Sequence, residues 1–256
     1  MRSIDNNLQA VRGRIARAAL AAGRDPLTVT LLAVPKTHAA ALLAQAVDAG
    51  QRAFGENYVQ EAVEKMGLLR GVIGEERARE LQWHLIGPPQ SNKTRLAAER
   101  FDWVHSVQSE KIARRLSEQR PAGMLPLNVL IQVNVSGESS KSGVAPAEVL
   151  SLAGAISKLP RLKLRGLMAI PEPTQDATLQ RSRFHELKKL LEQVQEQHPG
   201  LDTLSMGMSD DMEAAIAEGA TLVRIGTAIF GRREQGDPRR HSDPPAPPRS
   251  SAKRAA

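Results

Sequence analysis

Residues 204–231 read LSMGMSDDMEAAIAEGATLVRIGTAIFG. Thr203–Met206 forms a short strand-like run, and Gly207 opens a turn. A helix-forming stretch covers Asp210–Glu218, and Thr221–Ile225 is a second apolar run that ends in Gly226-Thr227. The stretch is a strand–helix–strand unit, and the same alternation runs back through the chain. Further strands are predicted at Val29–Val34, Arg52–Phe54, Leu81–Ile86, Trp103–His105, Leu127–Val135 and Lys163–Met168. Between them, amphipathic stretches are predicted at Ala39–Ala49, Tyr58–Leu69, Lys93–Ala98, Glu110–Glu118, Pro146–Leu159 and Asp176–His198. Ahead of all these, Ile4, Leu8, Val11 and Ile15 recur at helical spacing up to Gly23, which marks a first helix rather than a secretory signal.

Eight strands alternating with seven helical segments predict an α/β fold, a single (β/α)8 TIM barrel over residues 1–231, close to that fold's usual size of about 250 residues. A doubly wound open sheet is the alternative. No strand is followed by a Gly-x-Gly-x-x-Gly turn, and no P-loop is present. The 256 residues contain no cysteine, which excludes disulfides, thiolate metal sites and a cysteine nucleophile, and suits a reducing cytoplasmic setting. No apolar run approaches the roughly 20 residues of a membrane helix. Net charge is +7, of which residues 232–256 carry +4 on seven basic and three acidic side chains. This Pro/Arg-rich tail has five prolines, no large apolar residue and no aromatic ring. The composition predicts a disordered, solvated tail rather than a nucleic-acid-binding arm, which needs basic groups interleaved with aromatics.

Strand parity sorts the side chains. In Leu127–Val135 the odd positions are all apolar and should face the helices, which turns Asn128, Gln132 and Asn134 inward. In Leu81–Leu85, Gln82 and His84 share a face opposite Leu81, Trp83 and Leu85. Lys36 ends the first strand with the parity of Leu32 and Val34, so it projects into the mouth of a barrel, where a lysine amine can form a Schiff base. A strand-end lysine by itself simply reaches water. Here it is joined by two turns suited to an anion, after the seventh and eighth strands. Ser209 stands at a helix-cap position, Gly226 lets backbone approach a ligand, and Thr227 adds a hydroxyl. Arg224 shares parity with Leu222 and Gly226, and a pyridine ring nitrogen would serve as the partner an interior arginine needs.

The segments AVPKTH (33–38), FGENYVQE (54–61), WHLIGPPQSNK (83–93), VNVSGESSKSG (133–143), LRGLMAIP (164–171) and the quoted 204–231 resemble, in the same order, the pyridoxal-phosphate homeostasis protein family. The resemblance covers nearly all of residues 1–231. It implies a barrel of the alanine-racemase N-terminal-domain type (fold type III) that holds pyridoxal 5′-phosphate (PLP) as a Schiff base on Lys36. It also implies phosphate binding at Ser209, Gly226 and Thr227, Arg224 at the pyridine nitrogen, and Asn57 and Met208 near the ring. The chain departs from the family's usual pattern at Pro35, where Ser or Thr is common, at His38 in place of Lys, and at Pro88-Pro89.

The implied function is that of a PLP-binding protein of vitamin B6 homeostasis without catalytic turnover, which holds the cofactor reversibly and hands it to apo-enzymes. Absence of the racemases' second domain favours a monomer. The alternative is a fold type III PLP enzyme such as an amino-acid racemase, with Lys36 on one face of the substrate and Tyr58 or His84 on the other. A cofactor-free Schiff-base aldolase is a third reading. No metal site, nucleic-acid partner or membrane partner is expected.

Overall fold

Ser3 starts the first helix: its hydroxyl accepts the Asn6 N–H, and α1 (Ile4–Ala21) buries Ile4, Leu8, Val11, Ile15 and Ala19. The structure is a computed structural model and describes residues 3–36, 38–138 and 141–231. The predicted tail, 232–256, lies outside the described residues. Eight parallel strands close into a barrel in chain order: β1 (Thr30–Ala33), β2 (Ala53–Glu56), β3 (Gln82–Leu85), β4 (Trp103–Val107), β5 (Leu127–Gln132), β6 (Leu162–Met168), β7 (Thr203–Ser205) and β8 (Leu222–Ile225). Ala33 pairs with Ile225 across the closing seam, so the last strand lies beside the first. The crossovers hold α2 (Ala40–Asp48), α3 (Val59–Ile73), α4 (Glu75–Arg79), α5 (Thr94–Arg100), α6 (Glu110–Gln119), α7 (Val149–Ile156), α8 (Ala177–Gln197) and α9 (Met212–Ala217), and α10 (Thr227–Phe230) follows β8. The (β/α)8 reading is correct.

Two packed layers result. Outward-facing strand residues join the helices in one continuous core, which includes Leu127, Val129, Ile131, Val133 and Val135 as parity predicts. Leu81, Trp83 and Leu85 join the same layer. Inside the barrel, Leu32, Val34, Ala53, Ile86 and Leu222 form a smaller apolar cluster. Leu130 and Met168 are also buried apart from the helix-facing core, beside polar groups that include His84, His105, Ser205, Gln132 and Arg224.

The structure departs from the sequence reading at several ends. β5 stops at Gln132, so Asn134 lies in the following loop, where its side chain bonds Glu138 and Gly137 backbone rather than pointing inward. Gln82 begins its strand exposed, while His84 is buried. α4 and α10 span five and four residues, too short to leave a periodic signal. β1 ends at Ala33, and the last seam bond is Val34 N–H to Ile225 O. Pro35 therefore sits beyond the ladder and removes no bond from it, and its carbonyl accepts the His38 N–H in a turn.

Candidate functional site

Lys36, Asn57, Met208, Ser209, Gly226 and Thr227 all follow the C-terminal ends of β1, β2, β7 and β8, and Arg224 lies within β8 near its end. Those four strands are neighbours in the closed barrel, so the candidate residues line one continuous arc of its mouth. Lys36 has φ 52°, the only positive φ of a non-glycine residue among the described residues. That left-handed backbone costs about 1–2 kcal/mol for an L-residue. Its surroundings hold it there: the ammonium of Lys65 donates to the Lys36 carbonyl. Lys65 comes from the buried face of α3, shared with Val59, Ala62 and Leu69. It also bonds Glu56 at 2.6 Å and Glu61 at 3.4 Å. Glu56 and Lys65 are 1% and 6% exposed. Burial pushes the Glu56 carboxyl up to about 7 against the pull of Lys65.

Gly226 presents bare backbone to this lysine. A Cβ there would clash with Val34 O at 2.8 Å and would touch Lys36 Cε at 3.7 Å. The structure thus brings Lys36 and Gly226 together. Arg224, two residues earlier on β8, pairs in register with Leu32. It is 4% exposed. Its Nη1 donates to Ser205 O and Oγ, both at 2.7 Å, and its Nη2 to Ala169 O at 2.9 Å. All these partners are neutral. Burial lowers its pKa to about 10, with Asp211 acting in the opposite sense, so it remains a buried cation at neutral pH. Such a charge favours an electron-rich group in the mouth.

Ser209 is half-buried in the β7–α9 turn, but it does not cap the helix. The cap position belongs to Asp211, whose carboxylate accepts the Met208 N–H at 2.6 Å. The predicted cap is two residues early because the turn carries two aspartates, and the second holds it closed. Met208 and Thr227 are exposed, and Asn57 is half-buried. The Asn57 carbonyl lies where a Cβ on Gly87 would come within 2.2 Å, so the β3 turn can pass only as glycine. Tyr58 is exposed, whereas His84 is buried and held neutral by burial, its pKa lowered to about 3. That removes His84 as an effective base.

Parts of the site escape sequence reasoning. Arg14 of α1 donates to Ser209 O at 3.1 Å and pairs with Glu213, and Asn7 donates to Ile229 O at 2.8 Å, so the first helix braces both candidate anion turns. Lys65 left one legible signal: a charge at the apolar position of the Val59–Ala62–Leu69 stripe. His105 and Ser205 left none. Among the described residues no helix is long and apolar enough to cross a membrane, and no group of three or more His, Asp or Glu is placed to hold a metal.

Residues 6–234 match the family described as "Alanine racemase, N-terminal domain". A pyridoxal phosphate homeostasis protein of Pseudomonas aeruginosa is 59% identical over 238 residues, covering 93% of this chain and 99% of that protein. Its counterpart in Escherichia coli is 54% identical over 236 residues, covering 91% and 98%. Among solved structures, PipY of Synechococcus elongatus with PLP bound is 37% identical, with a TM-score of 0.76, covering 90% of this chain and 100% of that one. An alanine racemase of Clostridium difficile, 15% identical with a TM-score of 0.66, shares the fold across 89% of this chain and 57% of its own. The chain belongs to the pyridoxal phosphate homeostasis protein family, within the wider family of alanine racemase N-terminal domains.

Proposed function

We propose that the chain binds PLP as a Schiff base on Lys36 and takes part in vitamin B6 homeostasis, holding the cofactor and delivering it to apo-enzymes without turnover of its own. The observation that carries this reading is the Lys36 side chain packed against the bare backbone of Gly226, beside the buried Arg224. PLP supplies an aldehyde that condenses with a primary amine, and an electron-withdrawing ring. The residues present fit it. Lys36 is the amine, Arg224 has only neutral partners and can donate to the ring nitrogen, and the Gly226-Thr227 and Ser209 turns offer N–H and hydroxyl groups to a phosphate. Asn57 and Met208 flank the ring in this reading. The relatives' names and the PLP-bound PipY structure support it. It describes a monomeric carrier in the cytoplasm, a setting that the cysteine-free sequence suits.

The test is borohydride reduction of the PLP-loaded protein followed by peptide mapping. The modified lysine is expected at position 36, and Lys36→Ala is expected to lose both the visible band and the label. A label on another lysine, or an unchanged band in Lys36→Ala, would overturn the reading. An amino-acid racemase is the second reading, and the shared fold of the alanine racemases favours it. Sustained deuterium exchange at the α-carbon of an added amino acid would support it over a carrier.

A further inference from the structure

A buried cation in a protein interior ordinarily sits beside a carboxylate. Arg224 has none among its hydrogen-bond partners. A line of neutral groups extends from it across the barrel instead. Ser205 Oγ lies 2.7 Å from Arg224 Nη1 and 3.0 Å from His105 Nδ1, and His105 Nε2 lies 2.9 Å from His84 Nδ1. The four residues come from β8, β7, β4 and β3, and each is buried. Beyond His84 the line ends: its Nε2 is buried with no hydrogen-bond partner among the described residues.

The chemistry of the first member sets the direction of the whole line. A guanidinium only donates, so Ser205 Oγ accepts from Arg224. The serine proton then has one acceptor among its partners, His105 Nδ1. His105 must therefore carry its own proton on Nε2 and donate it to His84 Nδ1, which leaves the His84 proton on Nε2. The reverse arrangement would strand the hydroxyl proton of a fully buried serine and turn two N–H dipoles toward the cation. In the favoured direction every dipole presents its negative end to Arg224, and the bonds polarise one another. Both imidazoles are neutral, as such a line requires. Burial lowers both, and the Arg224 guanidinium further opposes a positive charge on His105.

We propose that Ser205, His105 and His84 form a one-way hydrogen-bond relay that takes the place of a counter-ion for Arg224 and so positions its guanidinium for the cofactor ring. The relay makes these three positioning residues, since none is assigned contact with the cofactor. The positioning half of the proposal rests on the PLP reading above. The direction of the relay does not.

Long-range proton–nitrogen NMR on the cofactor-free protein tests the direction. Both His84 and His105 are expected as the Nε2–H tautomer, and Ser205→Ala is expected to create a share of Nδ1–H at His105. A wild-type His105 with its proton on Nδ1, or tautomers unmoved by Ser205→Ala, would overturn the relay. PLP-loaded protein tests the role. Ser205→Ala removes a charge-assisted bond to Arg224 and is expected to speed PLP loss about tenfold and to shift the visible band. His105→Leu is expected to shift the band in the same sense by less. His105→Gln, which can accept from Ser205 and donate to His84, is expected to restore it. Bands and release rates equal to wild type in both Ser205→Ala and His105→Leu would overturn the positioning role. Wild-type protein that takes up no PLP would overturn the cofactor reading together with that role, while the tautomers still decide the relay.

Discussion

The two ends of the barrel differ in how they hold their ion pairs. At the N-terminal ends of the strands, Arg165 meets Asp202 through two bonds of 3.0 and 2.6 Å, bonds Asn128, and lies over the Trp103 ring. Asp102 accepts the Trp83 N–H, and Arg52 pairs with Glu80. The Arg165–Asp202 and Arg52–Glu80 pairs are partly within reach of water and worth little to stability, whereas Arg120 at the same end is buried and donates to the carbonyls of Ala98, Phe101 and Leu125. At the C-terminal ends, the Glu56–Lys65 pair is sealed in, Lys36 keeps a left-handed backbone, and Arg224 is buried with neutral hydrogen-bond partners. Such features cost stability, and packing alone gives no reason to keep them. A buried arginine on neutral partners is thus common to both ends, and what sets the mouth apart is the sealed Glu56–Lys65 pair and the left-handed backbone of Lys36.

The sharpest break of that contrast is Lys65→Met. It leaves Glu56 buried without its partner and is expected to cost about 3–5 kcal/mol in denaturant unfolding. Glu56→Gln in the same protein is expected to return much of the loss. A cost below 1 kcal/mol for the single variant, on the order of an exposed pair, would make the mouth pair no different from the surface ones.

Arg224→Met separates function from stability. A buried cation replaced by an apolar side chain of similar length is expected to leave the melting temperature of the cofactor-free protein unchanged or raised, while PLP affinity falls at least about tenfold. A marked loss of stability without loss of PLP would assign Arg224 to the scaffold.

Acid supplies the third test. His84 and His105 stay neutral in the fold well below their ordinary range, whereas in the unfolded chain they protonate near 6.5. As pH falls below 6.5 the unfolded state binds more protons, so stability drops at about 1.4 kcal/mol per pH unit for each imidazole. Glu56, raised to about 7, takes its proton earlier in the fold and offsets one imidazole until pH reaches its ordinary value of 4.5. His84→Gln is expected to remove one imidazole's share of the slope between pH 6.5 and 3 in urea unfolding series. Identical slopes in the two proteins would show that His84 charges freely in the fold.

The smallest effect belongs to the N-terminal end of the barrel. Arg165→Ala is expected to cost about 1 kcal/mol, mostly through the bidentate bond and the ring contact, and to leave PLP retention as in wild type.

The alternation of apolar runs and amphipathic stretches determined the barrel, because each strand had to bury one face against helices and the spacing of the runs leaves a parallel closed sheet as the economical way to do so. Lys36, Arg224 and Gly226 were legible for a related reason: an ionised group or a glycine at a strand end with interior parity stands out against an apolar run. The Ser209 cap was misplaced because two aspartates follow it and local sequence does not choose among three cap-forming side chains. Only the tertiary structure brought Lys65 under the Lys36 carbonyl, Arg14 and Asn7 onto the two turns, and His84, His105 and Ser205 into line with Arg224. These contacts join residues as far apart as Asn7 and Ile229. Strand parity can say that a side chain faces inward, but the neighbour it meets there depends on the register and twist of a closed sheet, which no single segment encodes.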